Sequence, residues 1–269
     1  MLFGLFSLKK LTLKNGKLFA KVKIMKLSIV IPAHNEEKYV GKCLESIFKE
    51  MKKSDTDIDI EIIVVDNASD DKTAEVASFF SGVKVIFEPK KGTGYARQAG
   101  FLASSGDIIA NIDADCILSA GWIKNVFSEF SKDQKLAALS GPYIYPKMPK
   151  IFNIATKIWY AIGFALTRYV FRRGAPLQGG NFIVRRDAME KVGGFDTSIK
   201  FYGDDTDIAC RIQKVGKIKF TFDLIMYSSE RRLRGDGIFM TVVRYAVNYI
   251  WVIAFGRPFS REYNSFREN

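Results

Sequence analysis

The amino-acid sequence predicts an α/β fold in which a mostly parallel central sheet is flanked by helices. Strand patterns alternate with helix patterns through the first half of the chain, which is typical of parallel sheets. The strand patterns are continuous apolar runs, as expected where both faces of a sheet are covered. Polar residues follow several strand ends, where ligands bind in open α/β sheets. With 269 residues, 48% of them hydrophobic, the chain can build one substantial core.

The first half of the chain alternates between the two kinds of element. Short apolar runs predict strands at Lys26–Pro32, Ile60–Val65, Val83–Phe87 and Asp107–Ile112. Apolar residues at helical spacing predict helices at Glu37–Met51, Asp70–Phe80 and Gly94–Ser104. Acidic residues at the start of the second of these helices favour its N-terminus.

The second half of the chain is less regular. Gly179–Arg186 predicts a strand, Asp187–Val192 a short helix, and Thr206–Val215 a longer helix. Two long apolar stretches, Ile151–Phe171 and Ile238–Phe255, carry narrow polar stripes. Each stretch can lie in a membrane interface or pack on the domain as a core helix, and both alternatives stay open.

The net charge of +12 is concentrated at the two ends of the chain. Residues 1–35 contain seven lysines and no acidic residue, and the last 40 residues contain seven arginines against four acids. The middle is therefore near neutral, which argues against a nucleic-acid binder, whose charge lies on the folded domain. Basic ends suit an anionic membrane surface, although ordinary solvated lysines would have the same composition.

The cysteines and the single histidine limit the chemistry of any metal site. Cys43, Cys116 and Cys210 are odd in number and form no CxxC pair, so we expect a reduced, cytosolic chain. His34 is the only histidine, which excludes a histidine-rich zinc site. A metal must then be held by oxygen ligands, and this favours Mg²⁺ or Mn²⁺.

Three polar motifs follow predicted strands and are expected to meet at one edge of the sheet. They are His34-Asn35-Glu36, Asp66-Asn67 and Asp113-Ala114-Asp115. Side chains alternate along an extended chain, so Asp113 and Asp115 are expected to point the same way. Such a pair suits a hard divalent cation that also binds a diphosphate, which predicts a metal site at Asp113 and Asp115.

Other motifs in the chain have two possible interpretations each. Gly203-Asp204-Asp205 precedes a helix, so the acids either cap that helix or supply a general base. Gly92-Thr93-Gly94 is a flexible turn that, with Arg97, could approach a nucleotide, although it lacks the Walker ending. Arg231 and Arg232 could bind a diphosphate or face a membrane.

The motifs in this order resemble those of family 2 glycosyltransferases with the GT-A fold, a Rossmann-like fold of nucleotide-diphospho-sugar transferases. The resemblance spans about residues 26–232. The matching segments are Ile29–Glu37 (IVIPAHNEE), Val65–Thr73 (VDNASDDKT), Lys91–Gly100 (KGTGYARQAG), Asp113–Asp115 (DAD), Gly193–Asp196 (GGFD) and Asp204–Asp207 (DDTD).

The resemblance implies a role for each motif. It places these residues against the nucleotide sugar: Pro32, Ala33, Asn35, Glu36, Asp66, Arg97, Asp113 and Asp204. It implies that Asp113 and Asp115 bind the metal and that Asp205 is the general base. Two positions depart from the family pattern: Gln98 stands where Asn is frequent, and Asp204 replaces the usual Glu, which shortens its reach toward the sugar.

The implied reaction is inverting transfer of a sugar from a nucleotide-diphosphate sugar to a hydroxyl of a glycan or lipid-linked acceptor. One alternative is a polyprenyl-phosphate glycosyltransferase, whose acceptor is already ionised. A nucleotidyltransferase of similar fold and a non-catalytic binding module are further alternatives. The acid pair at Asp204 and the segment Gly193–Asp196 argue against the nucleotidyltransferase, and the intact acids at three strand ends argue against the binding module.

The expected organisation is a basic extension (residues 1–24), a GT-A domain (25–232) and an amphipathic, membrane-associating segment (233–269). Ile238–Phe255 is near the lower length limit of a spanning helix. It has arginines on both sides, which opposes a span: Arg231, Arg232 and Arg234 precede it, and Arg257 and Arg261 follow it. We expect a cytoplasmic protein that is peripheral or monotopic at the inner face of the cell membrane.

Overall fold

The computed structural model describes residues 10–14, 17–21, 25–54, 58–167, 177–199, 203–235, 237–255 and 259. The strands are β1 (Lys10–Lys14), β2 (Lys17–Lys21), β3 (Lys26–Ala33), β4 (Asp59–Asp66), β5 (Val83–Phe87), β6 (Ile108–Ile112), β7 (Cys116–Leu118), β8 (Leu136–Ser140), β9 (Tyr143–Ile144), β10 (Asn181–Arg185), β11 (Lys217–Phe220) and β12 (Met226–Ser228). The helices are α1 (Val40–Lys53), α2 (Thr73–Ser78), α3 (Thr93–Ala103), α4 (Trp122–Lys132), α5 (Lys150–Ala165), α6 (Arg186–Lys191), α7 (Asp204–Ile212), α8 (Arg231–Gly235) and α9 (Ile238–Phe255).

A seven-stranded sheet in the order β11-β8-β10-β6-β3-β4-β5 forms the centre of the fold. Its pairs are parallel except where β10 runs antiparallel to β6 and β8. The predicted α/β fold with a mostly parallel central sheet is therefore confirmed. Because β10 is reversed, its N-terminal end lies at the same edge as the carboxyl ends of the parallel strands.

Two apolar layers cover the sheet, because successive side chains of a strand point to opposite faces. Ile29 and Ile31 of β3 pack in the layer that contains α1 and α4. Val30, which lies between them, packs in the opposite layer with residues of α3, α6 and α7. Both faces of β3 are therefore buried, and this explains why its sequence is a continuous apolar run rather than an alternating one.

Helix α3 lies unusually close to the sheet. A Cβ atom on Gly100 would stand 2.2 Å from Val30 Cγ1, so only glycine permits this approach. The close packing fixes the height of α3 above β3. It thereby positions Arg97, one turn earlier on the same helix, at the carboxyl edge of the sheet.

A second sheet, in the order β7-β12-β9, extends this edge. Each of its strands follows a strand of the central sheet along the chain: β7 follows β6, β9 follows β8, and β12 follows β11. These strands are two or three residues long, which is too short for an apolar period to predict them. They carry the chain from the sheet into the loops that surround the candidate site.

The second half of the chain differs in detail from the sequence-based expectations. The helix of the stretch Ile151–Phe171 is α5, which ends at Ala165, and residues 168–176 lie outside the described part. Helix α9 has the predicted bounds, and β1 and β2 pair in antiparallel fashion within the predicted basic extension. Arg257 and Arg261 also lie outside the described residues. In the part of the chain that is described, no helix combines the length and apolar character needed to cross a membrane.

Candidate active site

The loops after β3 and β4 are joined by Asn35 and the residues around Ser69. Asn35 adopts a left-handed backbone conformation with φ of 54°, which Asn tolerates better than most residues. Its Oδ1 accepts a hydrogen bond from the Asp70 amide at 2.8 Å, and its own amide donates to Ser69 Oγ at 3.1 Å. Asn35 was predicted to line the nucleoside pocket. In the structure its side chain holds the loop after β3 to the loop after β4. Pro32 and Ala33 lie at the end of β3, beside the end of β4.

The end of β4 is linked to the glycine loop that opens α3. Asp66 is buried, and its Oδ1 accepts a hydrogen bond from the Ser69 amide at 3.2 Å. Asn67 Nδ2 donates to the Lys90 carbonyl at 2.7 Å, and Asn67 Oδ1 accepts from the Gly92 amide at 2.8 Å. Asn67 therefore holds the Gly92 loop against the sheet edge, a role that the sequence did not reveal.

Arg97 lies at the centre of the site and joins its two halves. Its guanidinium Nη2 donates to Asp113 Oδ1 at 3.1 Å, and its Nη1 donates to Asp204 Oδ2 at 2.5 Å. The guanidinium also lies over the Phe182 ring, 5.8 Å from the ring centre. One buried cation thus neutralises both the first acid of the DxD triplet and the first acid of α7.

Asp113 has a second partner, Tyr143, on the opposite side of its carboxylate. Tyr143 Oη donates to Asp113 Oδ2 at 3.2 Å and accepts a hydrogen bond from the Gly180 amide at 2.7 Å. A Cβ atom on Gly180 would stand 2.3 Å from the Asp113 carboxyl carbon, so glycine is required there. Burial, followed by the charge of Asp113, raises the pKa of Tyr143 well above its usual value, which keeps the phenol a donor.

Arg231 pairs with the second acid of the triplet. Its Nη2 lies 2.5 Å from Glu36 Oε1 and 3.1 Å from Asp115 Oδ2, and its guanidinium lies 4.5 Å from the centre of the Tyr39 ring. Residues that are 195 positions apart in the chain therefore meet here. Arg232 lies beside Arg231 in α8, but its side chain is outside the described part of the structure.

The expectation that Asp113 and Asp115 extend in the same direction has to be revised. The triplet leaves β6 and turns, with the Cys116 amide donating to the Asp113 carbonyl at 3.0 Å, so the alternation of an extended chain does not apply. Asp113 faces Arg97 and Tyr143, whereas Asp115 faces Arg231.

The chemistry of these side chains fits a cation that keeps much of its own hydration. Among the described residues, no group of three or more His, Cys, Asp or Glu side chains could hold a metal ion. Mg²⁺ and similar ions are usually bound by one or two carboxylates together with water and substrate phosphates. The pair Asp113 and Asp115 meets that requirement, provided that a diphosphate supplies further oxygen atoms.

The acids at the start of α7 are not the residues that cap it. The N-cap is Gly203, with φ of 91°, and Asp204 is the first helical residue. Asp204 is buried against Arg97, and burial raises its pKa. Asp205 is half-buried, and its Oδ1 accepts from the Thr206 amide at 2.7 Å. Burial, followed by the negative charge of Asp204, raises the pKa of Asp205 to about 6.

Gln98, which departs from the family pattern, has a structural partner. Its Oε1 accepts a hydrogen bond from the Phe195 amide at 2.8 Å. Gly194 has a positive φ, and a Cβ atom there would stand 2.3 Å from the same oxygen. Gln98 therefore anchors the Gly193–Asp196 turn against α3, and the longer side chain is accommodated.

Known proteins resemble this chain in sequence and in fold. Residues 28–193 match the model of Glycosyl transferase family 2. The chain is 31% identical over 206 residues to the Probable glycosyltransferase YdaM of Bacillus subtilis (strain 168), covering 71% of this chain and 47% of that protein. It is 26% identical to the dolichyl N-acetyl-alpha-D-glucosaminyl phosphate 3-beta-D-2,3-diacetamido-2,3-dideoxy-beta-D-glucuronosyltransferase of Methanococcus voltae, covering 74% of this chain and 57% of that protein. The chain thus spans about half the length of these relatives.

A solved structure with the same fold is the mannosyltransferase PcManGT of Pyrobaculum calidifontis, in complex with GDP-Man and Mn²⁺. The TM-score is 0.68 at 17% identity, and the match covers 87% of this chain and 66% of that one. The predicted GT-A fold is confirmed by this likeness. The family match covers more than half of the chain and contains the three strand-end motifs His34–Glu36, Asp66–Asn67 and Asp113–Asp115. The chain therefore belongs to glycosyl transferase family 2.

Proposed function

We propose that this protein is a metal-dependent glycosyltransferase that moves a sugar from a nucleotide-diphosphate sugar to a hydroxyl acceptor with inversion. The observation that carries the proposal is the position of Arg97. It joins Asp113, from the triplet after β6, to Asp204, which is next to the candidate base Asp205. A donor held at Asp113 would therefore have its reacting carbon close to the carboxylates that begin α7.

The residues at the ends of β3 and β4 would hold the nucleoside. Pro32, Ala33 and Asp66 lie side by side there, and Glu36 is buried next to Arg231. Arg231 would pair with the diphosphate, since a guanidinium binds phosphate oxygens in a forked geometry. The complex of PcManGT with GDP-Man and Mn²⁺ supports a nucleotide sugar as donor.

Asp113 and Asp115 would hold Mg²⁺ or Mn²⁺ between them and the diphosphate. When bound, the cation would offset the charge that develops on the leaving nucleoside diphosphate. The protein supplies the rest of the arrangement: Tyr143 and Arg97 fix the Asp113 carboxylate from two sides. Asp115 keeps its carboxylate on the side of Arg231, where the diphosphate is expected.

Asp205 would act as the general base. Its pKa of about 6 leaves it ionised at neutral pH, yet more basic than an ordinary Asp carboxylate. It would accept the proton of the acceptor hydroxyl while that oxygen attacks the anomeric carbon from the face opposite the leaving diphosphate. One bond forms to the acceptor oxygen as the bond to the diphosphate breaks, which inverts the configuration at that carbon.

Helix α5 supports an acceptor that is presented from a membrane. Its inner face lines the site, because Tyr160 Oη donates to Gln178 Oε1 at 2.9 Å and lies 3.5 Å from the amide of Tyr143. Its outer face is largely apolar, with Lys157 as an exposed charge among the apolar side chains. The exposed side chains of that face, 45% to 73% accessible, are Ile151, Ile154, Ile158, Trp159, Ile162 and Leu166.

A stripe of this kind is unusual on a soluble monomer and suits the interface of a lipid bilayer. Exposed Lys150 and Lys157 on the same helix, and Lys147 before it, would meet anionic headgroups. Helix α9 packs against α7 and adds exposed Ile238 and Met240. The dolichyl-linked substrate named for the Methanococcus voltae relative supports the same class of acceptor. We therefore propose peripheral or monotopic association with the cytoplasmic face of the cell membrane.

The function is tested by incubating the purified chain with Mn²⁺, a panel of nucleotide sugars and a lipid extract. We expect release of free nucleoside diphosphate from one donor, reversible inhibition by EDTA, and loss of release in the Asp115→Asn variant. The exposed Asp187→Asn substitution, far from the site, serves as the matched control. Release of pyrophosphate would indicate a nucleotidyltransferase, and full activity in EDTA would exclude the metal.

A further inference from the structure

Arg231 lies between Glu36 and Asp115, and Asp115 is one of the two acids proposed to hold the divalent cation. Its Nη2 lies within hydrogen-bonding distance of both Glu36 and Asp115, so one guanidinium nitrogen contacts carboxylates from two separate motifs. The Tyr39 ring covers its flat side. The charge that Arg231 supplies at Asp115 is of the same sign as that of a metal ion.

Arg97 and Arg231 differ in their freedom to move. The Arg97 side chain is 4% exposed and is held between Asp113, Asp204 and the Phe182 ring. The Arg231 side chain is 25% exposed and belongs to α8, a helix of five residues outside the central sheet. The Asp115 side chain is 15% exposed and that of Glu36 is 3% exposed. Arg231 can therefore turn away from Asp115 at little cost if it stays on Glu36, whereas a rotation of Arg97 would uncover the buried charge of Asp204.

If a metal ion binds at Asp115, Arg231 has to exchange Asp115 for another partner. In this structure Arg231 pairs with both Asp115 and Glu36. A metal ion bound to Asp115 would repel the guanidinium at this distance, because like charges a few ångströms apart destabilise each other. A diphosphate brings new negative charge to the same edge, and it offers Arg231 a forked partner in place of Asp115.

We propose that Arg231 is a positioning residue that changes partner when the ligands bind. Before binding, its guanidinium neutralises Asp115 in place of the metal. When metal and donor bind, it pairs with the diphosphate instead. The proposal rests on the proposed function and adds an explanation of how the metal and the donor bind together. Metal alone has to displace Arg231 without compensation, whereas metal with a nucleoside diphosphate gives Arg231 a new partner. The two ligands therefore bind cooperatively, and Arg231 is the cause of the coupling.

The test measures binding of Mn²⁺ to the purified full chain by the loss of its free electron-paramagnetic-resonance signal, with and without UDP or GDP. Arg231→Gln removes the competing charge. Arg234→Gln, at an exposed residue of the same helix that pairs with Glu230, removes an equal charge and is the control. Arg231→Lys keeps the charge, and the thermal unfolding temperature shows whether each variant is folded.

We expect Arg231→Gln to bind Mn²⁺ alone about fivefold or more tightly than the parent, which corresponds to about 1 kcal/mol. Its further gain in Mn²⁺ affinity on adding nucleotide should be smaller than that of the parent. Arg234→Gln should behave as the parent does. Arg231→Lys should bind Mn²⁺ alone as the parent does, because it keeps the charge, but it should gain less affinity on adding nucleotide, because an ammonium lacks the forked geometry. Unchanged or weaker binding of Mn²⁺ alone by folded Arg231→Gln would overturn the exchange while leaving a metal-dependent transferase intact. A parent that binds no Mn²⁺ even with nucleotide would overturn both.

Discussion

Arg97 donates a 2.5 Å hydrogen bond to the carboxylate of Asp204, which follows it by 107 residues in the chain. The first residue lies on a helix of the regular first half, and the second begins a helix of the irregular second half. Their contact places the candidate base, Asp205, beside the candidate donor site.

Asp205→Asn tests the base. The amide keeps the size of the side chain and can still accept the hydrogen bond from the Thr206 amide, but it cannot take a proton. We expect kcat to fall by about 10²–10⁴-fold, the usual contribution of general-base catalysis, while donor affinity changes little. Steady-state kinetics and nucleotide-sugar binding measure the two quantities.

A matched change at Asp187, an exposed acid on α6 paired with Lys191, should leave both quantities at the parental level. If Asp205→Asn turns over normally on a polyprenyl phosphate but not on a hydroxyl acceptor, the acceptor is an ionised phosphate and needs no base. If it turns over normally on both, the role of base passes to Asp204, which the corresponding Asn variant then tests.

The pH dependence of activity and of stability should reflect the raised pKa of Asp205. Because the base must be ionised, kcat should rise with pH through about 6 and level off above it. The pKa of Asp205 in the folded protein is higher than the ordinary 3.8. The contribution of Asp205 to the stability of the fold is therefore complete below about pH 4 and is lost as the pH rises through about 6. Asp204, whose pKa is also raised, contributes with the same sign.

Thermal unfolding at a series of pH values compares the parent with Asp205→Asn. The parent should lose stability relative to the variant between about pH 4 and 7, since the variant has no charge at this position to bury. A difference between them that is independent of pH, or a kcat profile that is flat through pH 6, would contradict the assignment.

Gly180→Ala tests the positioning of Asp113. The added methyl group would stand 2.3 Å from the Asp113 carboxyl carbon and 2.4 Å from Tyr143 Oη, so the carboxylate or the start of β10 must move. A displacement of about 1 Å at a reacting centre can cost about 10²-fold in rate, and we expect a loss of that order. Gly163→Ala on α5 is the control, because an added Cβ atom there would meet no atom of a neighbouring residue within 4 Å. It should leave the rate nearly unchanged.

The apolar stripe of α5 is tested with liposomes. The double substitution Ile158→Glu and Ile162→Glu places two charges on the exposed face of the helix. We expect binding to phosphatidylglycerol vesicles to weaken at least about tenfold, since each buried aliphatic side chain contributes about 1.5–3 kcal/mol. Co-sedimentation at several lipid concentrations gives the affinity.

The control for this experiment changes Phe79 and Phe87 to Glu, because both are exposed apolar residues elsewhere on the molecule. These changes should leave vesicle binding as it is. Equal weakening by both pairs would show a general effect of charge, and a parent chain that remains in the supernatant would show that α5 does not meet a membrane.

Local signals in the sequence were sufficient for the first half of the fold. The strands β3, β4, β5 and β6 are continuous apolar runs, and each lies within one or two residues of its predicted bounds. The helices between them have helical apolar spacing, and polar residues at the strand ends predicted the edge where the site forms. These features depend on neighbours in the chain, so the chain order alone reveals them.

Short or reversed elements could not be predicted in this way. β9 has two residues, and β10 is an ordinary apolar strand whose antiparallel direction depends on the strands beside it. Tyr143 and Gly180 were missed for the same reason, because nothing near them in the sequence indicates that they touch Asp113. The glycine doublet at Gly179-Gly180, before a predicted strand, was the available signal of a close approach.

By itself, the sequence determined the α/β class, the family and the identity of the acids at the sheet edge, since each depends on local pattern or motif order. Only the tertiary structure decided which arginine neutralises which carboxylate. Arg97 reaches Asp113 and Asp204, and Arg231 reaches Glu36 and Asp115, because the reversed β10 and the second sheet fold the late part of the chain over the same edge. Ion pairs between distant residues have no period or spacing in the chain, and they form only once the backbone has brought the carboxylates and guanidinium groups within a few ångströms of each other.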